Sequence, residues 1–157
     1  MTSQSTINTS NRAPITVIAG VGPGLSNALA EKFANEGHQL VLLSRSSKSR
    51  EPAMITLQNR EQTVVGYDCD VTDAKIVSAT FTKIREEVGN PAVLIYNTGR
   101  YMIKGILELE PQLFEDLWQV NCLGGFLCAR EVLPAMVEEK QGTILFTGAT
   151  ASVKGSA

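Results

Sequence analysis

The sequence predicts a three-layer α/β fold, a parallel sheet with helices on both faces. Three observations predict it. Short apolar, β-branched runs of strand length recur along the chain. Between them, apolar residues return at helical spacing. The two patterns alternate as βαβαβαβαβ, the order in which each helix carries the chain back to a parallel strand.

The elements follow in order. ITVIA (15–19) is a first buried strand, and Leu25, Ala28, Leu29 and Phe33 mark a helix that Gly37 ends. QLVLLS (39–44) is a second strand, followed by a weaker helix over 48–60, interrupted near Pro52. TVVGYDCDV (63–71) is a third strand. From Asp73, Ile76, Val77, Ile84 and Val88 mark a helix closed by Gly89. AVLIYN (92–97) is a fourth strand. A long helix then runs from about Gln112 to Glu139, with Pro134 as the site for a kink. It is apolar on nearly all sides beyond Val120 and is expected to be covered on two faces. GTILFTG (142–148) is a fifth strand. Right-handed crossovers make this a Rossmann-type sheet of order 3-2-1-4-5. Residues 1–13 are polar and expected to form a flexible tail, and 14–157 a single domain without repeats or linkers.

Composition narrows the function classes. The 157 residues are 43% hydrophobic and 19% charged, and the net charge of −2 gives no electrostatic case for nucleic acid or a membrane surface. No apolar run reaches the roughly 18 residues of a membrane span. The opening MTSQSTINTSNRAP lacks the apolar stretch of a secretory signal. Cys69, Cys122 and Cys128 are odd in number and form no C-x-x-C pair, so they read as free thiols of a reducing cytoplasm. His38 is the only histidine, which rules out a histidine metal cluster, and in EGHQL it reads as a solvated turn residue.

The stretch that carries chemistry is the turn after the first strand. Gly20, Gly22 and Gly24 fall within five positions, between a strand ending at Ala19 and a helix starting near Leu25. Backbone N–H groups at a helix N-terminus attract phosphate, and glycine lets a pyrophosphate approach the backbone. Leu25 stands at the third glycine of G-x-G-x-x-G, so that fingerprint fails, and a purely structural glycine turn remains the alternative.

Gly20-x-x-x-Gly24-x-Ser26 does fit another spacing. It resembles the T-G-x-x-x-G-x-G turn of the short-chain dehydrogenase/reductase family, with Ala19 for the threonine and Ser26 for the last glycine. Three further matches come in the family's order. Asp70-Val71 is similar to the pair that contacts adenine, the bland alternative being a helix cap before Asp73. Asn97-Thr98-Gly99 resembles N-N-A-G, which supports the sheet and lines the cofactor. QVNCLGGF (119–126) matches V-N-x-x-G, placing Asn121 where the family's active-site asparagine kinks a helix and holds a proton-relay water. The four matches lie within residues 15 to 157.

At the end of the second strand, an acid would bind a ribose 2′-hydroxyl. Ser44, Arg45 and Ser46 stand there instead, and Arg45 offers a planar, permanently charged fork for a 2′-phosphate, with Lys48 and Arg50 adding charge nearby. The expected cofactor is therefore NADP(H) rather than NAD(H), the alternative being a solvated basic loop.

The resemblance implies hydride transfer between a nicotinamide and a carbonyl or alcohol carbon. It also implies a tyrosine acid/base, a lysine four residues on, and a serine after the fifth strand. No Tyr-x-x-x-Lys occurs in these residues, and Tyr96 with Arg100 four positions on straddles the cofactor motif. Ala149 falls at the serine's place, leaving Thr150 or Ser152 as substitutes only if the turn is remodelled. The expected fold is thus a Rossmann-type sheet truncated after its fifth strand. Its apolar fifth-strand edge invites aggregation and implies a marginal monomer, while the long helix, part of the subunit interface in the family, fits a homo-oligomer of the full-length protein or equally a face left uncovered by truncation. Two readings stand: an oxidoreductase acting on small carbonyls or alcohols, or a non-catalytic NADP(H)-binding homologue or inactive fragment.

Overall fold

Five parallel strands form one sheet in the order β3-β2-β1-β4-β5. The computed structural model describes residues 12–150 and 153–154, so most of the 1–13 tail lies outside it, as does Ser152. The strands are β1 (Ile15–Ala19), β2 (Gln39–Ser44), β3 (Val64–Asp68), β4 (Val93–Tyr96) and β5 (Thr143–Phe146). The helices are α1 (Leu25–Asn35), α2 (Ser47–Gln58), α3 (Ala74–Glu87), α4 (Pro111–Trp118) and α5 (Gly124–Glu138). A π-helical segment, Gln119–Leu123, joins the last two.

The continuous apolar runs of β1 and β2 exist because both faces of these strands are covered. Their side chains alternate between two cores. Val17, Val41, Leu43 and Leu94 pack with Phe81 and Ile84 of α3 and with Cys128 and Val132 of α5. Ile18, Leu40, Leu42 and Ile95 pack with Ala30 and Ala34 of α1 and with Leu57 of α2. Register is fixed on both flanks of β1, with Val17 opposite Val41 on one side and Leu94 on the other. A slip of one residue would exchange the two cores.

Several expectations need correction. The third strand ends at Asp68 rather than 71; the Cys69 N–H still donates to the Ser44 carbonyl of β2, and the turn into α3 begins at Val71. The α2 helix runs through Pro52 without interruption. Proline there removes one N–H, and inward-facing Arg50, Ala53 and Leu57 hold the helix in place. His38 is not a solvated turn residue. It is half-buried, its Nδ1 lies 2.7 Å from Thr16 Oγ1, and its ring meets Phe33 edge-on.

The long helix departs most from expectation. Gly124, Gly125, Cys128, Val132 and Met136 are buried against the sheet, whereas Phe126, Leu133 and Val137 are exposed, so one face is covered rather than two. Pro134 lies inside α5, and the departure from α geometry comes earlier, at 119–123. By length and composition alone the helical stretch Pro111–Glu138 is apolar enough to cross a membrane, although Glu115, Asp116, Arg130 and Glu131 interrupt it. Its buried stripe is equally that of a helix laid on a sheet.

Candidate functional site

The C-terminal ends of β1 to β4 open onto one cleft of about 950 Å³. It lies between β1 and β4, where the chain from β1 crosses to β2 on one side and the chain from β3 crosses back to β4 on the other, the switch point at which open parallel sheets bind ligands. Gly20, Gly22, Leu25, Ser44, Arg45, Asp70, Val71, Asn97, Thr98 and Gly99 all line it. Gly24 and Ser46, both exposed, are not among its lining residues. Sequence reasoning missed Val21, Ser49, Thr72 and Arg100, which also line it.

Each glycine of the first turn has its own reason. Gly20 has φ +92, and a Cβ on it would stand 2.5 Å from the backbone N of Thr98. Only glycine permits both that angle and that contact. Gly24 has φ +105 and caps α1. No atom comes within 4 Å of a Cβ placed on Gly22, so its backbone borders the open cleft. Ser26 is buried beneath the turn and closes it reciprocally: its hydroxyl donates to the Gly22 carbonyl (2.7 Å) and accepts from the Gly22 N–H (2.9 Å). The N–H groups of Leu25 and Ser26 open α1, where no intrahelical acceptor exists. These donors and the bare Gly22 backbone suit a pyrophosphate, so the residues present fit a dinucleotide.

At the β2 tip, Arg45 is exposed on the cleft wall and makes no hydrogen bond or ion pair among the described residues. Arg50 corrects the expectation of a basic loop. It is 8% exposed, and Nη1 donates to Asp68 Oδ1 (2.6 Å) and Ser44 Oγ (3.0 Å). Its charge is turned inward, away from any ligand. The Ser44 hydroxyl is likewise engaged, donating to the Ser46 carbonyl (2.7 Å).

Past β3, Asp70 accepts from the Thr72 hydroxyl (2.7 Å) and N–H (3.0 Å). The hydroxyl first, then the N–H, hold its carboxyl below the usual range, and the nearby Arg45 charge adds to this. The α3 cap is a different residue: Asp73 accepts from the N–H groups of Lys75 and Ile76. Asp70 is thus released from capping, and Oδ2 remains to accept from a ligand.

The β4 tip is a junction. Asn97 donates from Nδ2 to the Gly20 carbonyl (3.2 Å), and its Oδ1 accepts from the Thr147 hydroxyl (2.9 Å) beyond β5. One carboxamide therefore ties the ends of β1, β4 and β5. The Thr98 hydroxyl lies over Gly20. Tyr96 turns into the core, where burial pushes its pKa up, and its hydroxyl donates to the Val120 carbonyl.

Asn121 occupies the middle of the π segment. Its Oδ1 accepts from the Arg100 N–H and its Nδ2 donates to the Arg100 carbonyl, both at 2.9 Å. It thereby fixes the loop after Gly99, while its neighbours Gln119 and Val120 line the cleft. Thr150 is exposed outside the cleft, and its carbonyl accepts from the N–H groups of Val153 and Lys154.

Residues 14–157 match the family model described as short chain dehydrogenase. The chain belongs to the short-chain dehydrogenase family. It is 30% identical over 142 residues to short-chain dehydrogenase/reductase family 16C member 6 of Bos taurus, a match covering 90% of this chain and 45% of the relative. It is 29% identical to human epidermal retinol dehydrogenase 2, covering 90% and 46%. A solved short-chain dehydrogenase from Rhodopseudomonas palustris superposes with a TM-score of 0.85 at 28% identity, covering 93% of this chain and 68% of that one. The chain thus spans about half the length of these two curated relatives. As a member of the family it has the fold of nicotinamide-dependent oxidoreductases.

Proposed function

We propose that the chain is the cofactor-binding part of an NADP(H)-dependent oxidoreductase that interconverts a small carbonyl compound and an alcohol. The observation that carries this reading is Arg45, exposed on the cleft wall beside Ser44, with no acid at the β2 tip. A carboxylate there would repel a 2′-phosphate; a guanidinium attracts it in bidentate geometry.

The bound nicotinamide would supply or accept the hydride. The chain's own residues hold the rest of the cofactor. The N–H groups of Leu25 and Ser26 receive the pyrophosphate, which Gly22, lacking a side chain, lets come close, Asp70 accepts from the adenine amino group with Val71 beside it, and Asn97, Thr98 and Gly99 form the wall toward the nicotinamide. Asn121 keeps one N–H and one lone pair beyond its Arg100 bonds, enough to hold a relay water. A second reading, NADP(H) binding without catalysis, is favoured by Ala149 at the place of the family's serine. We place the protein in the cytoplasm and assign it a homo-oligomeric state through the exposed face of α4 and α5.

The test is titration of the chain with NADPH and NADH. NADPH should bind more tightly, and Arg45→Ala should weaken NADPH by about 10- to 100-fold, consistent with loss of a charge-assisted pair, while leaving NADH nearly unchanged. Equal losses for both cofactors would remove the 2′-phosphate assignment. Turnover of a carbonyl panel separates the enzyme from the non-catalytic binder.

A further inference from the structure

Arg50 is the one charged side chain that is buried among the described residues. It belongs to none of the motifs that mark the site. Its Nη1 bridges Asp68 Oδ1 at the end of β3 and Ser44 Oγ at the end of β2, and the Ser44 hydroxyl donates onward to the Ser46 carbonyl. A carboxylate, a guanidinium, a hydroxyl and a carbonyl thus run in series across two strand tips. The series closes on the turn 44–46, whose middle residue is Arg45.

Room for this side chain is built into β3. A Cβ on Gly66 would stand 2.5 Å from Arg50 Nε, 2.8 Å from Cδ and 3.3 Å from Met54 Sδ. Glycine inside a strand weakens it, and such a position marks a close approach. Burying a guanidinium also costs desolvation that an apolar side chain of similar size would avoid. Two local rules are therefore broken at one place, next to the residue that reads the cofactor.

We propose that Arg50 is a positioning residue for 2′-phosphate recognition. It fixes the Ser44–Ser46 turn so that the Arg45 guanidinium faces the cleft, and Asp68 keeps the Arg50 charge out of the phosphate site. This rests on the reading of Arg45 given above. Arg50 makes no contact with the ligand and acts through Arg45.

The experiment measures binding of adenosine 2′,5′-bisphosphate and of 5′-AMP, which differ only in the 2′-phosphate, by calorimetric titration of the chain. Arg50→Met should weaken the bisphosphate about tenfold, as loss of one oriented charge-assisted contact would, and leave 5′-AMP unchanged, while Ser44→Ala should narrow the ratio of bisphosphate to 5′-AMP affinity by a similar factor. In an Arg45→Ala background neither should narrow that ratio further, because the residue they position is gone. Ser44→Ala removes one hydroxyl only and keeps the test open if Arg50→Met does not fold. Retained bisphosphate preference in both variants, or equal losses for both ligands, would overturn the positioning role. Loss of preference in Arg45→Ala alone would leave the Arg45 reading intact while sinking this one. Equal binding of the two ligands by the unsubstituted chain would remove both.

Discussion

Gly20 shows how much one missing side chain can carry. Its positive φ turns the chain out of β1, and its bare α-carbon lets the Thr98 backbone close over it. Gly20→Ala combines a left-handed strain with a steric overlap, and should cost about 2–4 kcal/mol, read as a lowered urea midpoint. Tyr67 gives a pH signature. Burial first, then its hydrogen bond to Glu87, push its pKa up to about 12. A tyrosine in the unfolded chain ionises near 10, so the folded protein holds this proton more tightly. The contribution to stability is complete below pH 10 and is lost as pH rises from about 10 to about 12. Tyr67→Phe should make alkaline denaturation shallower across that window, and an unchanged curve would exclude Tyr67 as its source. Arg50 marks the limit of reading at this scale. In sequence it is one more charge in a basic loop, and the clue to its burial is Gly66, sixteen residues away on another strand.

At the scale of elements, α3 depends on its cap. Asp73 satisfies two N–H groups of the first turn, and Asp73→Ala should cost about 1 kcal/mol, measured as a shift of the thermal midpoint. Asp70→Ala should leave that midpoint much less affected while weakening the adenylate end of the cofactor, because the two aspartates have separate tasks. The buried strands were the most legible elements: β1 and β2 have the bounds their apolar runs announce, since residues covered on both faces have little choice of type. The end of β3 was not, because Cys69 and Val71 stay buried after the sheet ends and look like strand. The outer face of α5 misled for a different reason. Apolar residues announce burial, but Phe126, Leu133 and Val137 are exposed in this chain. The glycine turn and the Asn97 junction could be located from spacing alone, whereas the Ser26 lock and the Asn121–Arg100 pairing depend on tertiary approach that spacing does not reveal.

For the whole molecule, the unevenness of cover is the main physical fact. β1 and β2 lie between two helical layers, while β5 is an edge with Leu145 and Phe146 exposed. Phe114 and Trp118 extend the apolar surface of the α5 face along the same long helix. Contiguous apolar area of this kind drives association in water. Sedimentation should show concentration-dependent self-association, and Phe126→Lys with Val137→Lys should reduce it without disturbing the sheet. Association unchanged by both substitutions would direct attention to the β5 edge instead.

The π segment has a consequence for how this chain can be edited. A π turn takes up one residue more than an α turn, so Gln119–Leu123 behaves as a single-residue insertion carried inside a helix. Everything C-terminal to it is rotated backward by one step. Remove one residue there, and the buried stripe Gly124-Cys128-Val132-Met136 would turn away from the sheet, although no member of the stripe had been altered. Gly124 and Gly125, which let the helix lie against Tyr96 and Phe146, would be swung off their partners. Substitutions at 119–123 are thus a question of chemistry, whereas a deletion there is a question of phase, and phase is what an alignment gap placed carelessly in this segment would misstate.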